Sequence, residues 1–570
     1  MKMEKGCEFL SKVVSKEIFT PEDLNEEQKM LRDTVAKFMK EEVLPKVDEL
    51  EKGNHDLMVE LLKKAGELGF FAIEYPKEYG GLELDKVSAL CVNEAMMQYT
   101  SFAVSSEAHV TIGSHPIIFF GTDEQKKKYL PDLAYAKKIA AYALTEPGAG
   151  SDALNAKTTA TPVDGGKYFT LNGTKQFITN AGFADIFIVF AKVNGKDFTA
   201  FIVERQWGVK TGKEEDKMGQ KGSSTRQVIL EDVKVPKENV LGEIGKGHKV
   251  ALNALNLGRM RLGGVSGGAG LYLTKKALDY ARERKQFGKA IFDFPLIKWK
   301  IANMVSKSFA AQSAAYRLTH NIDRLWLGDG MQEWQAFEEL AVEATILKVG
   351  GSELLWHIVD DAVQIHGGYG YIKEYEVERH YRDERVNRIY EGTNEINRLN
   401  IPEMIIRRAM RGRINFFEWV EKSKKEIDDV NEIKKLVQDF SLKEELFALE
   451  SAKRLLIISA QEAFTKFAEE IQNEQELLAA FSDIAIGIYI SESAIARAEK
   501  HKDKPFGDYY KKMAQFFVQI YWSKIIQSFE IMHLRLGKGL EIAEKLYKVL
   551  PRVDVIKLSR EIAEQTAQIM

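Results

Sequence analysis

The strongest constraint on the fold is a change in hydrophobic periodicity near residue 140. Before it, from Asn25 onward, apolar residues such as Leu31 and Val35 recur at helical spacing, which predicts amphipathic helices. Asn25, with Gln28 three residues later, has the pattern of a capping box and predicts the start of the first helix. From about Asn256 helical spacing returns. The chain is therefore predicted to be mostly α with a central β region.

The central region carries the signals of strands and tight turns. Residues Ala140 to Leu144 have the composition of a strand. Two Asn-Gly pairs, Asn172-Gly173 and Asn194-Gly195, each separate two β-rich runs, and Asn-Gly favours the turn of a β-hairpin. Two hairpins of this kind predict a small antiparallel β domain.

A glycine-rich stretch in the same region invites a different interpretation. Residues Gly148 to Ala153 fit the loose GxGxxG/A pattern of dinucleotide-binding folds. Such a fold needs a helix and then a parallel strand after the glycines. Residues Thr158 to Gly166 are instead rich in Thr, Pro and Gly and lead into the predicted hairpin, so we favour the β domain over a Rossmann fold.

Periodicity and punctuation divide the chain into five predicted segments. They are an N-terminal segment (1–24), an N-terminal helical domain (25–140), a middle β domain (141–255), a helical bundle (256–412) and a C-terminal helical extension (413–570). In the extension, residues Met513 to Leu534 carry a stripe of aromatic residues among Lys and Gln. Such a stripe favours a bundle core over a helix lying on a membrane surface.

Bulk composition excludes several classes of function. A formal net charge of −3 gives no electrostatic reason to expect nucleic acid as a partner. Cys7 and Cys91 are the two cysteines, too few for a disulfide framework or a zinc site, and the histidines have no metal-like spacing. The N-terminus lacks the apolar run of a signal peptide, and we find no uninterrupted apolar stretch of about 18 residues. We expect a soluble protein of the bacterial cytoplasm.

Short runs of unusual composition point to a functional site. In Arg388 to Ile396, the carboxylate Glu391 is followed by Gly, Thr and Asn, which suit a polar partner close to the main chain. The same residues also suit a loop that caps a helix at Thr393. Four further motifs precede this one. They are Tyr142 to Asp152, Lys175 to Asn180, Arg284 to Gly288 and Gln364 to Gly368.

The order and spacing of these five motifs resemble the acyl-CoA dehydrogenase family over roughly residues 25 to 412. The extension is similar to that of the very long-chain acyl-CoA dehydrogenase branch. The resemblance implies a helical bundle, a β domain and a four-helix bundle, followed by an extra helical domain. It also implies FAD, which accepts the hydride that protein side chains cannot take.

The resemblance makes Glu391 the catalytic base that removes the α proton, with a pKa raised by burial. Its backbone N–H would help polarise the thioester carbonyl. Some family members carry the base immediately before an arginine matching Arg259. Here that position is Gly258, which cannot act as a base.

The family's cofactor and substrate contacts carry over residue by residue. Thr145 and Thr179 would bond the isoalloxazine edge, and Phe177 stands where the family usually has Trp. The expected FAD contacts are Tyr142, Leu144, Thr145, Gly150, Ser151, Phe177, Ile178, Thr179, Arg284, Gln286, Phe287, Gln364, Ile365, Gly367, Gly368, Thr393, Asn394 and Glu395. The expected substrate contacts are Ser151, Asn256, Arg259, Tyr390 and Gly392.

Arg284, Gln286 and Phe287 match residues that reach FAD in the neighbouring subunit, so the resemblance implies at least a homodimer. It implies oxidation of acyl-CoA to trans-2-enoyl-CoA, with electrons passed to electron-transfer flavoprotein. An acyl-CoA oxidase and a catalytically silent scaffold on the same fold are alternatives. Small residues in Ser101 to Ala108 favour a long acyl chain; Glu107 there is unexpected and could face elsewhere. The extension could contact the inner membrane face peripherally.

Overall fold

The computed structural model describes residues 5–539 and 541–570 of the chain. Residues 1–4 of the predicted N-terminal segment lie outside the described residues. The chain divides into two compact units. The first unit contains residues 25–261 and 325–338, and the second contains residues up to 24, 262–324 and 339–570.

The first unit begins with helices and continues as a sheet. Its first helix starts at Glu26, and Asn25 and Gln28 form the predicted reciprocal capping box. A π-helical stretch, Ala108–Ser114, links α5 to α6. The helices are α1 (Glu26–Phe38), α2 (Val47–Leu50), α3 (His55–Glu67), α4 (Lys86–Met96), α5 (Thr100–Glu107), α6 (His115–Phe120) and α7 (Asp123–Ala134).

The eight strands of the first unit form one sheet with path β6-β7-β3-β2-β4-β5-β8, and β1 pairs with β4. They are β1 (Ala140–Ala143), β2 (Thr159–Val163), β3 (Tyr168–Thr179), β4 (Ile186–Val193), β5 (Asp197–Glu204), β6 (Lys210–Glu214), β7 (Thr225–Pro236) and β8 (Val240–Leu241). Buried residues such as Phe187, Val189 and Phe201 make its core. The β domain is confirmed, and its β1–β4 and β2–β4 pairs are parallel.

One of the two predicted hairpins is wrong. Asn194 and Gly195 do turn between β4 and β5, with φ of 52° and 76°. Asn172 and Gly173 instead lie inside the continuous strand β3, where the register against β7 shifts between Leu171 and Gly173. Gly173 has φ of 156°, and a Cβ on it would clash with Thr158 Oγ1. Glycine is suited here to a close approach within the strand rather than to a tight turn.

Helix α8 (Gly247–Gly264) has residues in both units, as does α11 (Glu333–Glu339). The second unit is otherwise helical, with one short hairpin of β9 (Lys285–Gln286) and β10 (Lys289–Ala290). Its bundle helices are α9 (Ser266–Glu283), α10 (Pro295–Asp323), α12 (Ala341–His366), α13 (Glu376–Glu384) and α14 (Asn394–Met410).

The extension belongs to the second unit and is helical, as predicted. Its helices are α15 (Phe416–Asp428), α16 (Val430–Val437), α17 (Lys443–Phe467), α18 (Gln475–Lys500), α19 (Gly507–Leu536), α20 (Glu541–Val549) and α21 (Val555–Ile569). The aromatic stripe lies on α19, where Phe516, Trp522 and Phe529 are buried. This confirms the stripe as bundle core.

Among the described residues, α18 is long and apolar enough to cross a membrane by length and composition. Within its most apolar window, 83% is buried inside the protein. A core helix passes the same test, so this helix alone is weak evidence for a membrane span.

Candidate active site

The loop that carries Glu391 has an uncommon backbone conformation. Glu391 and Gly392 have φ of 59° and 83°, two consecutive left-handed residues. A left-handed glutamate costs free energy and persists only where its surroundings fix it. Thr393 caps α14 by accepting a hydrogen bond from the Ile396 N–H at 3.2 Å, as predicted.

Two buried side chains hold this loop by donating hydrogen bonds to its carbonyls. Lys348 Nζ donates to the Gly392 carbonyl at 2.7 Å and to Asn394 Oδ1 at 2.8 Å. Asn397 Nδ2 donates to the Gly392 carbonyl at 2.8 Å and the Glu391 carbonyl at 3.3 Å. Because these hydrogen bonds hold the carbonyls of Glu391 and Gly392, the backbone that carries the Glu391 carboxyl is fixed. Tyr390, just before it, donates to Asn387 Oδ1.

The two β-domain motifs lie side by side in the first unit. The Gln176 N–H donates to the Thr145 carbonyl at 2.8 Å, which joins the end of β1 to a bulge of β3. Phe177 in that bulge has φ of 58° and is 63% exposed. Ile178 is buried in the sheet core, so only its backbone is accessible to a ligand. Together these motifs place an exposed aromatic face beside threonine donors.

A buried ion pair underlies these motifs. Lys175 Nζ lies 2.8 Å from Glu146 Oε1 and donates to the Leu144 carbonyl at 3.3 Å. Burial would raise the pKa of Glu146, but its hydrogen bonds, first from Lys175 and then from Thr158, hold it at about 2. The pair is therefore charged and fixes the loop before Gly150 and Ser151, which are themselves exposed.

The remaining cofactor motifs lie together in the second unit. The Arg284 guanidinium lies over the Tyr369 ring, 5.5 Å from its centroid, which brings Arg284 beside the glycines that follow Gln364 and Ile365. Gly367 has φ of 60°, and a Cβ on Gly367 or Gly368 would meet open space. An arginine fork next to accessible glycine backbone suits a pyrophosphate. Gln286 and Phe287 are exposed beside it, Phe287 by 92%.

A cavity in the first unit is lined by α4, α5, the π-helical stretch and Arg261 of α8. Glu107 lines it rather than facing elsewhere, and Arg261 Nη1 lies 3.2 Å from its carboxylate. Burial raises the pKa of Glu107 to about 7, and a hydrogen bond from Thr111 offsets part of the shift. Asn180 Nδ2, directly after Thr179, donates to the Ser105 carbonyl at 2.9 Å. The cavity wall is thus tied to a cofactor motif.

The side chains of Glu74, His115 and Glu333 are of types that bind metal ions, and their ligand atoms lie within 4.8 Å of one another. The Lys86 ammonium already lies 2.9 Å from Glu74 and also contacts Glu333. Positive charge at this position therefore comes from the chain itself.

Sequence reasoning missed the residues that support the site. Lys175, Lys348 and Asn397 are each fully buried, although lysine is usually exposed. Lys175 and Glu146 do lie within quoted motifs, so their opposite charges were a usable signal. Lys348 had none. Asn256 and Arg259 of α8 are buried, and Glu395 is exposed.

Comparison with known proteins agrees with this geometry. Acyl-CoA dehydrogenase family models match in order: the N-terminal domain at residues 25–137, the middle domain at 141–233 and the C-terminal domain at 245–406. A further acyl-CoA dehydrogenase C-terminal domain model matches residues 451–538, within the extension.

A probable acyl-CoA dehydrogenase of Bacillus subtilis is 46% identical over 507 residues, 87% of this chain and 85% of that protein. The mitochondrial very long-chain specific acyl-CoA dehydrogenase of Rattus norvegicus is 42% identical over 408 residues, 69% of this chain and 60% of its own. An acyl-CoA dehydrogenase of Bacillus anthracis complexed with FAD superposes with a TM-score of 0.95 at 42% identity, covering 99% of both chains.

The family models, together with the FAD complex of the Bacillus anthracis relative, define the class as flavoproteins. The chain belongs to the acyl-CoA dehydrogenase family, and it is an FAD-dependent enzyme of fatty acid metabolism.

Proposed function

We propose that this enzyme oxidises long- or very long-chain acyl-CoA to trans-2-enoyl-CoA in β-oxidation, with Glu391 as the catalytic base. The observation that carries the proposal is the left-handed Glu391 itself. Strain of this kind is maintained by Lys348 and Asn397, and such strain clusters at functional sites.

In this mechanism the Glu391 carboxylate takes the α proton of the thioester. The Glu391 N–H would donate to the thioester oxygen, where negative charge develops. Bound FAD would supply the acceptor for the hydride that leaves the β carbon. Tyr390 and Gly392 would shape the substrate channel on either side of the base, while Ser151, Asn256 and Arg259 would hold the CoA portion.

We propose a homodimer in which Arg284, Gln286 and Phe287 reach the partner's FAD. Its support is that Arg284, Gln286 and Phe287 are all exposed in the second unit, Phe287 by 92%, and are therefore accessible to a partner chain. We propose that electrons pass to electron-transfer flavoprotein. We place the enzyme in the bacterial cytoplasm. As a secondary proposal, the extension contacts the membrane peripherally.

For chain length, we propose a long acyl tail, because α5 carries the small residues Ala103, Ser105 and Ser106. The cavity of the first unit is too small to hold such a tail as it stands, and its lining includes the charged residues Glu107 and Arg261. The 42% identity to a very long-chain specific enzyme supports a long tail.

The test is anaerobic bleaching of bound FAD by saturated acyl-CoAs of increasing length. We expect bleaching by C14 to C18 thioesters and its loss in Glu391→Gln. If no acyl-CoA bleaches the flavin, the dehydrogenase proposal fails and the scaffold alternative gains support. Hydrogen peroxide formed in proportion to turnover would indicate an oxidase instead.

A further inference from the structure

Four charged side chains connect the helix after Glu391 to the extension. Arg398 of α14 lies 2.6 Å from Glu353 of α12 and 2.9 Å from Asp483 of α18. Lys524 of α19 lies 3.2 Å from Glu353 and 3.4 Å from Asp483. Two cations and two carboxylates thus alternate, and we call these four residues the α14 anchor.

The anchor also contacts the start of α14 directly. Asn394 Nδ2 donates to Glu353 Oε1 at 3.4 Å, and Ser482 Oγ of α18 donates to the Arg398 carbonyl at 2.5 Å. Asn394 is the residue whose side chain accepts from Lys348, beside the Gly392 carbonyl. The side chains of Asn394 and Lys348 therefore connect the anchor to the Gly392 carbonyl in the loop of the proposed base.

The electrostatics of the anchor differ from those of an ordinary surface pair. Burial would raise the pKa of Glu353, but Arg398 and Lys524 outweigh it and hold the pKa at about 2. Burial would lower the pKa of Arg398, yet Glu353 and Asp483 raise it above its ordinary value. Partly buried networks resist screening by solvent and salt and keep their geometry better than exposed pairs.

We propose that Asp483 and Lys524 of the extension are positioning residues for Glu391. They fix Arg398, which fixes the first turns of α14 and, through Asn394 and Asn397, the backbone of the Glu391 loop. A helix transmits such a constraint because its first turns move as one body, and about 1 Å of misplacement can cost ~100-fold in rate. The inference rests on the proposed role of Glu391 as the base.

The experiment compares two lysines on α19. Lys524→Met removes a member of the anchor, whereas Lys512→Met removes a cation that lies 2.7 Å from Asp508 and 3.0 Å from Glu561, outside the anchor. In the FAD-loaded, full-length enzyme we expect Lys524→Met to lower kcat by about 10- to 100-fold, with KM for a saturated long-chain acyl-CoA changed less than about 2-fold. Lys524→Arg should restore most of kcat, and Lys512→Met should keep the wild-type value.

Asp483→Asn, nearly the same size as aspartate, gives a second variant should Lys524→Met fail to fold. The inference is overturned if both fold, bind FAD and keep the wild-type kcat, or if Lys512→Met loses as much kcat as Lys524→Met. Glu391→Gln is assayed alongside them. Wild-type turnover in that variant contradicts the proposed function itself, whatever the anchor variants do.

Discussion

The cofactor motifs of the first unit and the Glu391 loop of the second unit are held in different ways. The Thr145 and Thr179 motifs lie on a sheet, where backbone hydrogen bonds and side-chain contacts such as the buried pair of Lys175 and Glu146 hold them. The Glu391 loop lies on no sheet, and side chains from α12 and α14 hold it. The cofactor motifs therefore depend mainly on the pairing of strands, while the loop of the proposed base depends on side-chain hydrogen bonds from helices.

The largest effect should come from Lys175→Met. Glu146 would be left buried without its cation, which costs about 3–5 kcal/mol of unfolding free energy, and the Thr145 loop would lose its support. Chemical denaturation and the FAD-to-protein ratio measure both losses. Lys210→Met removes an exposed pair with Glu231 in the same sheet and should cost under about 1 kcal/mol. If both substitutions cost the same unfolding free energy, the buried pair supports the sheet no more than an exposed pair does.

Lys348→Met tests the support of the Glu391 loop. Losing its hydrogen bonds to the Gly392 carbonyl and Asn394 should free the loop and lower kcat about 100-fold. The amount of bound FAD should be unchanged if the cofactor motifs and the Glu391 loop are supported independently. Rapid mixing with acyl-CoA gives the rate of flavin bleaching, and absorbance of the released cofactor gives its content. A loss of bound FAD in the same variant would contradict the independent support of the cofactor motifs and the Glu391 loop.

The anchor should also give the protein an acid-sensitive component. Because the folded pKa of Glu353 is about 2, below its ordinary 4.5, its stabilisation is fully present above about pH 4.5. It is lost as pH falls toward 2. Glu353→Gln should therefore reduce the slope of unfolding free energy between pH 5 and pH 3, by on the order of 2 kcal/mol over that interval. An unchanged slope in urea titrations would contradict this.

The smallest effect should come from Phe177→Trp, which restores the residue usual in the family. Phe177 is exposed and contributes little to the sheet core, so unfolding free energy should change by less than about 0.5 kcal/mol. The larger indole face should instead shift the absorbance spectrum of bound flavin. A substantial change in stability would mean that Phe177 supports the motif as well as facing the ligand.

Much of the fold followed from local patterns. Periodicity predicted the helical and β regions, and capping residues predicted the starts of α1 and α14. The continuous strand β3 did not follow, because only pairing with β7 distinguishes a bulge at Gly173 from a turn. Long-range pairing is absent from a local pattern.

The site divides along the same line. Motif residues such as Glu391 and Thr145 were found because their runs are distinctive. Lys348 and Asp483 were not found, since each acts through contacts between residues distant in sequence. The extension had no motif of its own, so its contacts with α14 became visible only in the structure.

The most direct test of the central claim isolates proton removal from flavin reduction. The FAD-loaded enzyme is incubated anaerobically in D₂O with an acyl-CoA, and deuterium at the α carbon is followed by mass spectrometry. We expect rapid incorporation by the wild-type enzyme and a loss of about 100-fold or more in Glu391→Gln with FAD still bound. Incorporation at the wild-type rate in that variant would contradict the assignment of Glu391 as the base.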